Sequence, residues 1–351
     1  MRVQIDVVRL PARERRRPRA ASCRAWLPAA AILLICLAPR AAWACACGCG
    51  IFDVGASSMM TAYSESGWSA WLRYAYADQS RNWEGTSRAP AADNKDKDLK
   101  TSFYFVGGEY MFNRSWGLML ELPVLDRSLT TTDDGTVFGP AGSHYTAHLR
   151  DFGDLQVMGL YTGFSADLST AVFGGIKLPT GNYTGPTGPL GGNEIDRDSL
   201  PGSGSTDLII GAYHIGGLSA DNRLAYYVQV RYQGAVRERN DYRPGNELDG
   251  ALGVTFDLGT TGPFTKLAPV VSVLGSLRAR DSQANADPLN SGYGRLLIAP
   301  GIDLRVNKVR FYADVEIPIY QDFNAAAPAI GGTSGQLAAP VAVKMQVGYD
   351  F

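Results

Sequence analysis

The residues best suited to chemistry are three cysteines, Cys45, Cys47 and Cys49, which stand two apart in the stretch CACGCG. Thiolates are soft ligands that favour Cu(I) or Zn, and the thioethers of Met59 and Met60 follow along the chain. The spacing leaves two interpretations open, one of which is a site for Cu(I) or a similar soft metal ion. A structural tether or an oxidised cap without metal is the alternative interpretation, and an odd number of thiols leaves one free after a disulfide forms.

Histidine is the other residue type that could do chemistry, and the chain has three. His144 and His148 are four apart in a predicted loop, and His214 lies near the end of a predicted strand. A hydrolase needs a nucleophile, a base and an orienting group within reach of one another. No Ser or Asp stands in such a relation to these histidines, so enzymatic function is not expected. The pair His144 and His148 could bind a surface metal, although two loop histidines are usually only polar.

Charged residues of both signs recur at alternate positions within otherwise apolar stretches. We interpret them as lining an internal space, either along a water-filled pathway or as pairs across neighbouring strands. The arginines between residues 278 and 305 are the best candidates for a strip that attracts anions. The candidate lumen-lining residues are Arg73, Glu109, Glu121, Lys177, Arg231, Arg278, Arg280, Arg295, Arg305, Asp314, Glu316 and Lys344.

Strands must position these residues, because successive side chains of a strand point to opposite faces. In the clearest case Tyr226, Val228 and Val230 alternate with Gln229 and Arg231. The stretch 205–216 is apolar on both faces, so its orientation stays open. The predicted strands are 67–78, 100–112, 115–126, 151–165, 168–178, 205–216, 222–237, 246–258, 266–281, 291–305, 308–320 and 337–351.

The connections between these strands alternate between long and short. Bacterial outer-membrane barrels have short periplasmic turns and long outer loops. A large soluble β-sandwich also has alternating strands, but it gives no reason for this rhythm. We therefore predict an all-β fold, a transmembrane antiparallel up-and-down β-barrel of about twelve strands over residues 67–351. The long connections are predicted at 79–99, 127–150, 179–204, 238–245, 282–290 and 321–336.

The last residues of the chain, VAVKMQVGYDF, have the pattern of the closing strand of an outer-membrane barrel and end at Phe351. An even number of strands places both termini on the periplasmic side of the outer membrane. The closing strand should pair with the first strand, so that Trp71–Tyr76 and Val343–Tyr349 are neighbours. The terminal strand should also engage the barrel-assembly machinery.

The first 44 residues have the features of a signal peptide: nine arginines against two acidic residues, then the apolar stretch WLPAAAILLICLA. An A-x-A site at Ala42–Ala44 predicts cleavage before Cys45, and lipidation of Cys45 is the alternative. Residues 45–66 form a Cys-rich arm or plug. The remainder of the chain is acidic, which argues against nucleic acid and leaves lipid and a small molecule as partners.

Several segments have a common resemblance: DFGDLQVMGLY at 151–161, GIKLPTG at 175–181, LPGSGSTDLIIGAYH at 200–214, VRYQ at 230–233 and YRPGNELDGALGV at 242–254. Together they resemble the outer-membrane transporters named for the MetA pathway of phenol degradation, which are similar to long-chain fatty-acid transporter barrels. The resemblance covers roughly residues 150–351 and implies an outer-membrane channel for small, hydrophobic or aromatic compounds. The CACGCG start departs from the fatty-acid transporters. A metal-handling outer-membrane protein is therefore the alternative function.

Overall fold

The computed structural model describes residues 54–57, 66–132, 140, 142–184, 195–260, 262–326 and 334–351. Alternation of apolar and polar residues produces strands almost throughout these ranges. Their bounds are β1 Gly67–Gln79, β2 Arg81–Glu84, β3 Ser87–Arg88, β4 Asp96–Met111, β5 Trp116–Thr132, β6 His144–Phe152, β7 Leu155–Tyr161, β8 Thr170–Leu178, β9 Thr206–Gly217, β10 Leu224–Arg237, β11 Glu247–Phe256, β12 Lys266–Arg278, β13 Tyr293–Val306, β14 Val309–Phe323, β15 Gln336–Ala338 and β16 Ala342–Asp350. Two short 3₁₀ turns, Ala91–Asp93 and Arg197–Ser199, complete the regular structure. Within the described ranges, no helix is long and apolar enough to span a membrane.

The wall is a closed antiparallel barrel, as predicted. Its strands follow the order β4-β1-β16-β14-β13-β12-β11-β10-β9-β8-β7-β5, and β4 pairs with β5 to close the ring. The wall has twelve strands when β6 and β7, which both pair with β5, are taken as the two halves of one. The predicted contact between first and last strands is confirmed, because Trp71 lies opposite Gly348 and Tyr76 lies opposite Val343.

The connections divide the barrel into a loop end and a turn end. The loop end carries 80–95, 133–143, 179–205, 238–246, 279–292 and 324–341, and the turn end carries 112–115, 162–169, 218–223, 257–265 and 307–308. The first wall strand begins and the last one ends at the turn end. Phe351 donates its N–H to the carbonyl of Trp68 there, at 2.9 Å.

Strand boundaries differ from the prediction between residues 127 and 165. β5 continues to Thr132 and β6 begins at His144, so most of the loop predicted at 127–150 is strand. The outer face of this extension is polar, with Thr130 facing Thr146, and such residues look like a loop in the sequence. The strand predicted at 151–165 is interrupted at Gly153 and Asp154. β6 pairs only with β5, and no other described strand borders it.

The loop predicted at 79–99 also contains structure. β2 and β3 from this connection and β15 from the connection after β14 form a second, three-stranded sheet at the loop end. β15 carries its side chains inward, where Leu337 packs with Leu99 of β4 and Leu129 of β5. The loop-end interior is therefore filled by the chain's own connections.

Exposed aromatic side chains gather near the turn end. Trp68 packs against Tyr110 with ring centroids 4.6 Å apart and the rings tilted by 38°, and Trp116 packs against Tyr161 at the same distance with a tilt of 48°. Phe351 adds a ring beside these pairs and is 70% exposed. Aromatic residues at this level form the interfacial girdle of a membrane barrel.

Candidate functional site: the interior of the barrel

The two faces of the wall differ sharply in polarity. Apolar residues such as Leu72, Val106 and Val228 point outward and are exposed, whereas charged residues such as Lys344 and Glu316 point inward and are 1% and 2% exposed. A lipid-facing surface must be apolar because lipid offers no hydrogen bonds to polar groups. The candidate site is therefore the interior, which the wall and its connections nearly fill.

The structure buries nine of the twelve residues expected to line the lumen inside the wall, places Arg278 and Arg305 at the two ends of inner strand faces, and leaves Arg280 outside the wall. The side chain of Arg278 is at the loop end and bonds Asp281 at 2.8 Å. Arg280 is exposed, because β12 ends at Arg278, and it bonds the carbonyl of Pro288. Arg305 is partly exposed at the turn end. The nine buried residues are Arg73, Glu109, Glu121, Lys177, Arg231, Arg295, Asp314, Glu316 and Lys344.

Most of these charges form ion pairs across strands. Arg73 bonds Glu121 at 2.7 Å, and Lys344 bonds Glu316 at 2.7 Å. Arg231 lies 3.7 Å from Asp249. Pairing compensates the cost of burying a charge. The strip of arginines that was expected to attract anions is interrupted for a different reason. Its member Arg280 lies outside the wall, because β12 ends at Arg278.

A four-residue segment, Val54–Ser57, lies inside the barrel. Gly55 donates its N–H to Oε1 of Gln229 on β10 at 2.9 Å, and Nε2 of Gln346 on β16 donates to the carbonyl of Ser57 at 3.0 Å. Val54 is fully buried within the main apolar cluster of the interior. Gln229 and Gln346 could not be recognised as partners of this segment from the sequence, because each is one of many polar residues on an inner face.

Below this segment, toward the turn end, a cavity of about 110 Å³ remains. Ala56 and Tyr227 border it on one side, and the charged side chains of Lys266, Arg305 and Arg310 border it on the other. Lys266 bonds Asp303 at 2.6 Å, and both arginines bond Asp350. The cavity thus lies between Ala56 of the segment Val54–Ser57 and the charged residues at the turn end.

Asp154, at the interruption between β6 and β7, holds three separate parts of the chain together. Its carboxylate accepts hydrogen bonds from the N–H of Gly181 at 3.0 Å, and from the N–H and hydroxyl of Ser203 at 2.9 and 2.6 Å. Lys177 lies 3.3 Å from Asp154 and 2.8 Å from Asp207. These residues belong to the segments DFGDL, LPTG and LPGSGS, which the sequence showed only as separate strand ends and turns.

Glycine is required where these segments cross. A Cβ on Gly181 would stand 2.8 Å from backbone atoms of Gly153 and Gly202, and a Cβ on Gly202 would stand 2.4 Å from the carbonyl carbon of Gly181. Backbone atoms cannot move away as a flexible side chain can. The connection 179–205 is consequently fixed tightly against the wall at this level.

Beyond this crossing, residues Ile195–Leu200 fold onto the inner face of β5 and β6. Ile195 and Leu200 pack with Leu129, Ala147 and Leu149. Arg127 of β5 donates from Nη1 to the carbonyls of Asp198 and Leu200, each at 3.3 Å. Arg127 was not among the expected lumen residues because the sequence placed it in a loop.

On the turn-end side of Arg127 lies an apolar cluster of Ala75, Phe103, Phe105 and Leu125. The two phenylalanine rings are nearly parallel, with centroids 6.1 Å apart. The guanidinium of Arg73 lies 4.3 Å from the centroid of Phe105, and that of Arg127 lies 5.7 Å from Phe103. Cations at such distances are attracted by aromatic rings.

The three histidines are separated in the structure. His144 and His148 lie on strand β6 rather than in a loop, with their side chains on the exposed face. Nδ1 of His144 lies 3.2 Å from the hydroxyl of Thr132, and Nδ1 of His214 lies 2.8 Å from that of Thr170. In the described part of the chain, no group of three or more His, Cys, Asp or Glu residues could hold a metal ion. Cys45, Cys47 and Cys49 lie outside the described residues, as does the predicted signal peptide.

The same kind of fold occurs in solved outer-membrane proteins. The COG4313 outer membrane channel from Pseudomonas putida F1 matches with a TM-score of 0.59 and 10% identity, over 86% of this chain and 100% of that chain. The β domain of the Bordetella autotransporter BrkA matches with a TM-score of 0.44 and 12% identity, over 81% and 100% of the two chains. The CymD monoaromatic hydrocarbon channel matches with a TM-score of 0.42 and 9% identity, over 86% and 94%.

These likenesses concern the fold, which is that of a bacterial outer-membrane β-barrel. No family model and no curated protein matches the chain. The resemblance to the transporters named for the MetA pathway therefore stays a prediction.

Proposed function

We propose that this protein is an outer-membrane channel for small apolar or aromatic compounds, gated by its N-terminal arm. The observation that carries the proposal is the pair of hydrogen bonds by which Gln229 and Gln346 hold the segment Val54–Ser57 across the interior. The described segment takes no part in the backbone pairing of the wall strands, so its displacement leaves that pairing intact. The fold is shared with a solved outer-membrane channel, and the apolar cluster around Phe103 and Phe105 suits an aromatic compound.

In this proposal the turn end is periplasmic and the loop end faces outward. The long connections lie at one end of the barrel and both ends of the wall lie at the other, which is the arrangement of bacterial outer-membrane barrels. The exposed apolar belt contacts outer-membrane lipid. Phe351 ends the closing strand in an exposed position, where the assembly machinery could engage it.

Planar-bilayer conductance tests the proposal directly. The double variant Gln229→Ala/Gln346→Ala and a version lacking residues 45–66 should both conduct more than the unaltered protein, because each removes the obstruction. The matched control is Gln321→Ala, a buried glutamine of β14 that lies near the loop end, opposite Arg295. Negligible conductance in all four proteins would overturn the channel. Equal and substantial conductance in all four would overturn the gate.

A further inference from the structure

Arg127 is a buried cation in an apolar part of the interior. Its residue is 8% exposed and faces inward from β5, between Leu125 and Leu129. Leu125 belongs to the cluster with Phe103 and Phe105, and Leu129 belongs to the cluster with Leu200 at the loop end. A compound that passes between the loop end and the turn end along this side of the wall meets apolar surface, one positive charge, and apolar surface again.

The hydrogen bonding of Arg127 is incomplete. Among the described residues it forms no ion pair, whereas the neighbouring Arg73 bonds a carboxylate. Nη1 of Arg127 donates to two backbone carbonyls at 3.3 Å, and its buried Nε has no acceptor. An isolated buried charge is costly, and a guanidinium presents a planar fork of donors that matches a carboxylate. A bound carboxylate would complete the hydrogen bonding of this guanidinium.

The nearest acid compensates this charge only weakly. Burial and the charge of Asp281 raise the pKa of Asp198 to about 7, against the opposing effects of Arg278 and Arg127. At or below neutral pH the Asp198 carboxyl is thus largely or partly protonated. It contributes its backbone carbonyl to Arg127, not an ion pair.

The neighbouring phenylalanines define the rest of the ligand. Their rings are inclined by only 8° to each other, and the guanidinium of Arg127 lies beside Phe103. Aromatic rings gain from stacking or edge contacts beyond the area that they bury. An aromatic ring with a carboxylate one bond away would place its charge on Arg127 and its ring against Phe103.

Building on the proposed channel function, we propose that Arg127, Phe103 and Phe105 form a binding site for monoaromatic carboxylates. The carboxylate accepts from the guanidinium in place of the carbonyls of Asp198 and Leu200, whose bonds to Arg127 are long. Charge-assisted, bidentate bonds are stronger than bonds to neutral carbonyls. Binding therefore removes the two hydrogen bonds between Arg127 and the segment Ile195–Leu200 and weakens the docking of that segment on β5.

Titration calorimetry on the purified, detergent-solubilised protein tests this site, with benzoate, benzyl alcohol and cyclohexanecarboxylate as probes. Arg127→Gln should weaken benzoate binding by about tenfold or more, the loss expected when a charged hydrogen bond is removed. The benzoate affinity of Arg127→Lys should lie between those of the unaltered protein and Arg127→Gln, because lysine keeps the positive charge but lacks the planar fork of donors. The control Arg150→Gln removes an exposed arginine from β6 and should leave benzoate binding unchanged.

Three results would overturn the proposal or part of it. Equal benzoate affinity in the unaltered protein and in Arg127→Gln would reject Arg127 as the anion site, as would benzyl alcohol binding as tightly as benzoate. Equal affinity for cyclohexanecarboxylate and benzoate would reject the aromatic preference. Heat-modifiable migration on electrophoresis checks folding, and Arg127→Lys carries the test if Arg127→Gln does not fold. Calorimetry detects binding whether or not the protein conducts. If benzoate binding depends on Arg127 but no conductance is found, the channel function is rejected and the binding site is retained.

Discussion

Gln229 and Gln346 stand on nearly opposite sides of the barrel and hold the same short segment between them. β10 and β16 are five strands apart along one path around the twelve-stranded wall. Gln229 accepts from Gly55 at 2.9 Å, and Gln346 donates to Ser57 at 3.0 Å. Two residues apart in the chain, Gly55 and Ser57 thus connect opposite walls. The segment between them takes no part in the backbone pairing of the wall strands.

The ion pair between Lys344 and Glu316 should contribute strongly to stability. Both side chains are almost fully buried, and Nζ lies 2.7 Å from the carboxylate. Lys344→Met leaves an uncompensated buried charge, so we expect the free energy of unfolding to fall by about 3 kcal/mol. Urea unfolding in lipid vesicles, followed by tryptophan fluorescence, measures the change. Lys308→Met, at an exposed turn position, is the control, and an equally small effect of both substitutions would contradict the prediction.

Asp154 should hold the connection 179–205 against the wall. Asp154→Asn removes the ion pair with Lys177 and weakens the acceptor for Gly181 and Ser203, so we expect a loss of about 2–3 kcal/mol in the free energy of unfolding. Trypsin should also cleave faster after Arg197. The control is Asp151→Asn in the same motif, because the Asp151 carboxylate is less buried than that of Asp154 and accepts a local hydrogen bond from the N–H of Phe152. Cleavage at the same rate in both variants would show that Asp154 does not hold this connection.

The crossing of Gly181 and Gly202 should tolerate no side chain. Gly202→Ala places a Cβ 2.4 Å from the backbone of Gly181, so the two segments must separate. We expect a lower yield of folded barrel, measured as the heat-modifiable fraction on electrophoresis. Gly159→Ala is the matched control, since its Cβ would come no closer than 3.8 Å to any other atom. Normal folding of Gly202→Ala would mean that the segments are not in contact.

Docking of the segment Ile195–Leu200 should weaken as the pH rises. Burial and the charge of Asp281 raise the pKa of Asp198 from 3.8 to about 7, so the docked state binds a proton that the undocked state releases. The stabilisation is complete below about pH 4 and is lost between about pH 4 and 7. Amide hydrogen exchange of residues 195–205, corrected for the intrinsic rate, should therefore be faster at pH 8 than at pH 5.

Asp198→Asn should reduce this pH dependence, because an amide does not titrate in this range, and the remainder comes from Asp196 of the same segment, whose pKa burial also raises. The control is Asp167→Asn, since hydrogen bonds from Ser165 and Ser169 lower the pKa of Asp167 to about 2, outside the window. Two results would contradict the role of Asp198. One is amide protection of residues 195–205 that increases with pH in the unaltered protein, and the other is a pH dependence of this protection that Asp198→Asn leaves unchanged.

Local alternation was enough to predict the wall. Leu252 and Val254 of β11 point outward because they alternate with small or polar residues, and slipping the register by one would turn a whole apolar face inward. The same argument gave the strand number and the pairing of the first and last strands. It failed where both faces carry similar residues. In the stretch 205–216, only the closed barrel decides that Leu208 and Ile210 face outward and Ile209 faces inward.

What the sequence determined by itself is the class of fold, because a strand's two faces are set by residues two positions apart and this pattern repeats along the chain. The interior was decided by the tertiary structure alone. Closing twelve strands brings Gln229 and Gln346 to either side of Val54–Ser57, and the return of the connection 179–205 brings Asp198 onto Arg127. These partners are separated by tens or hundreds of residues, so no local spacing records them.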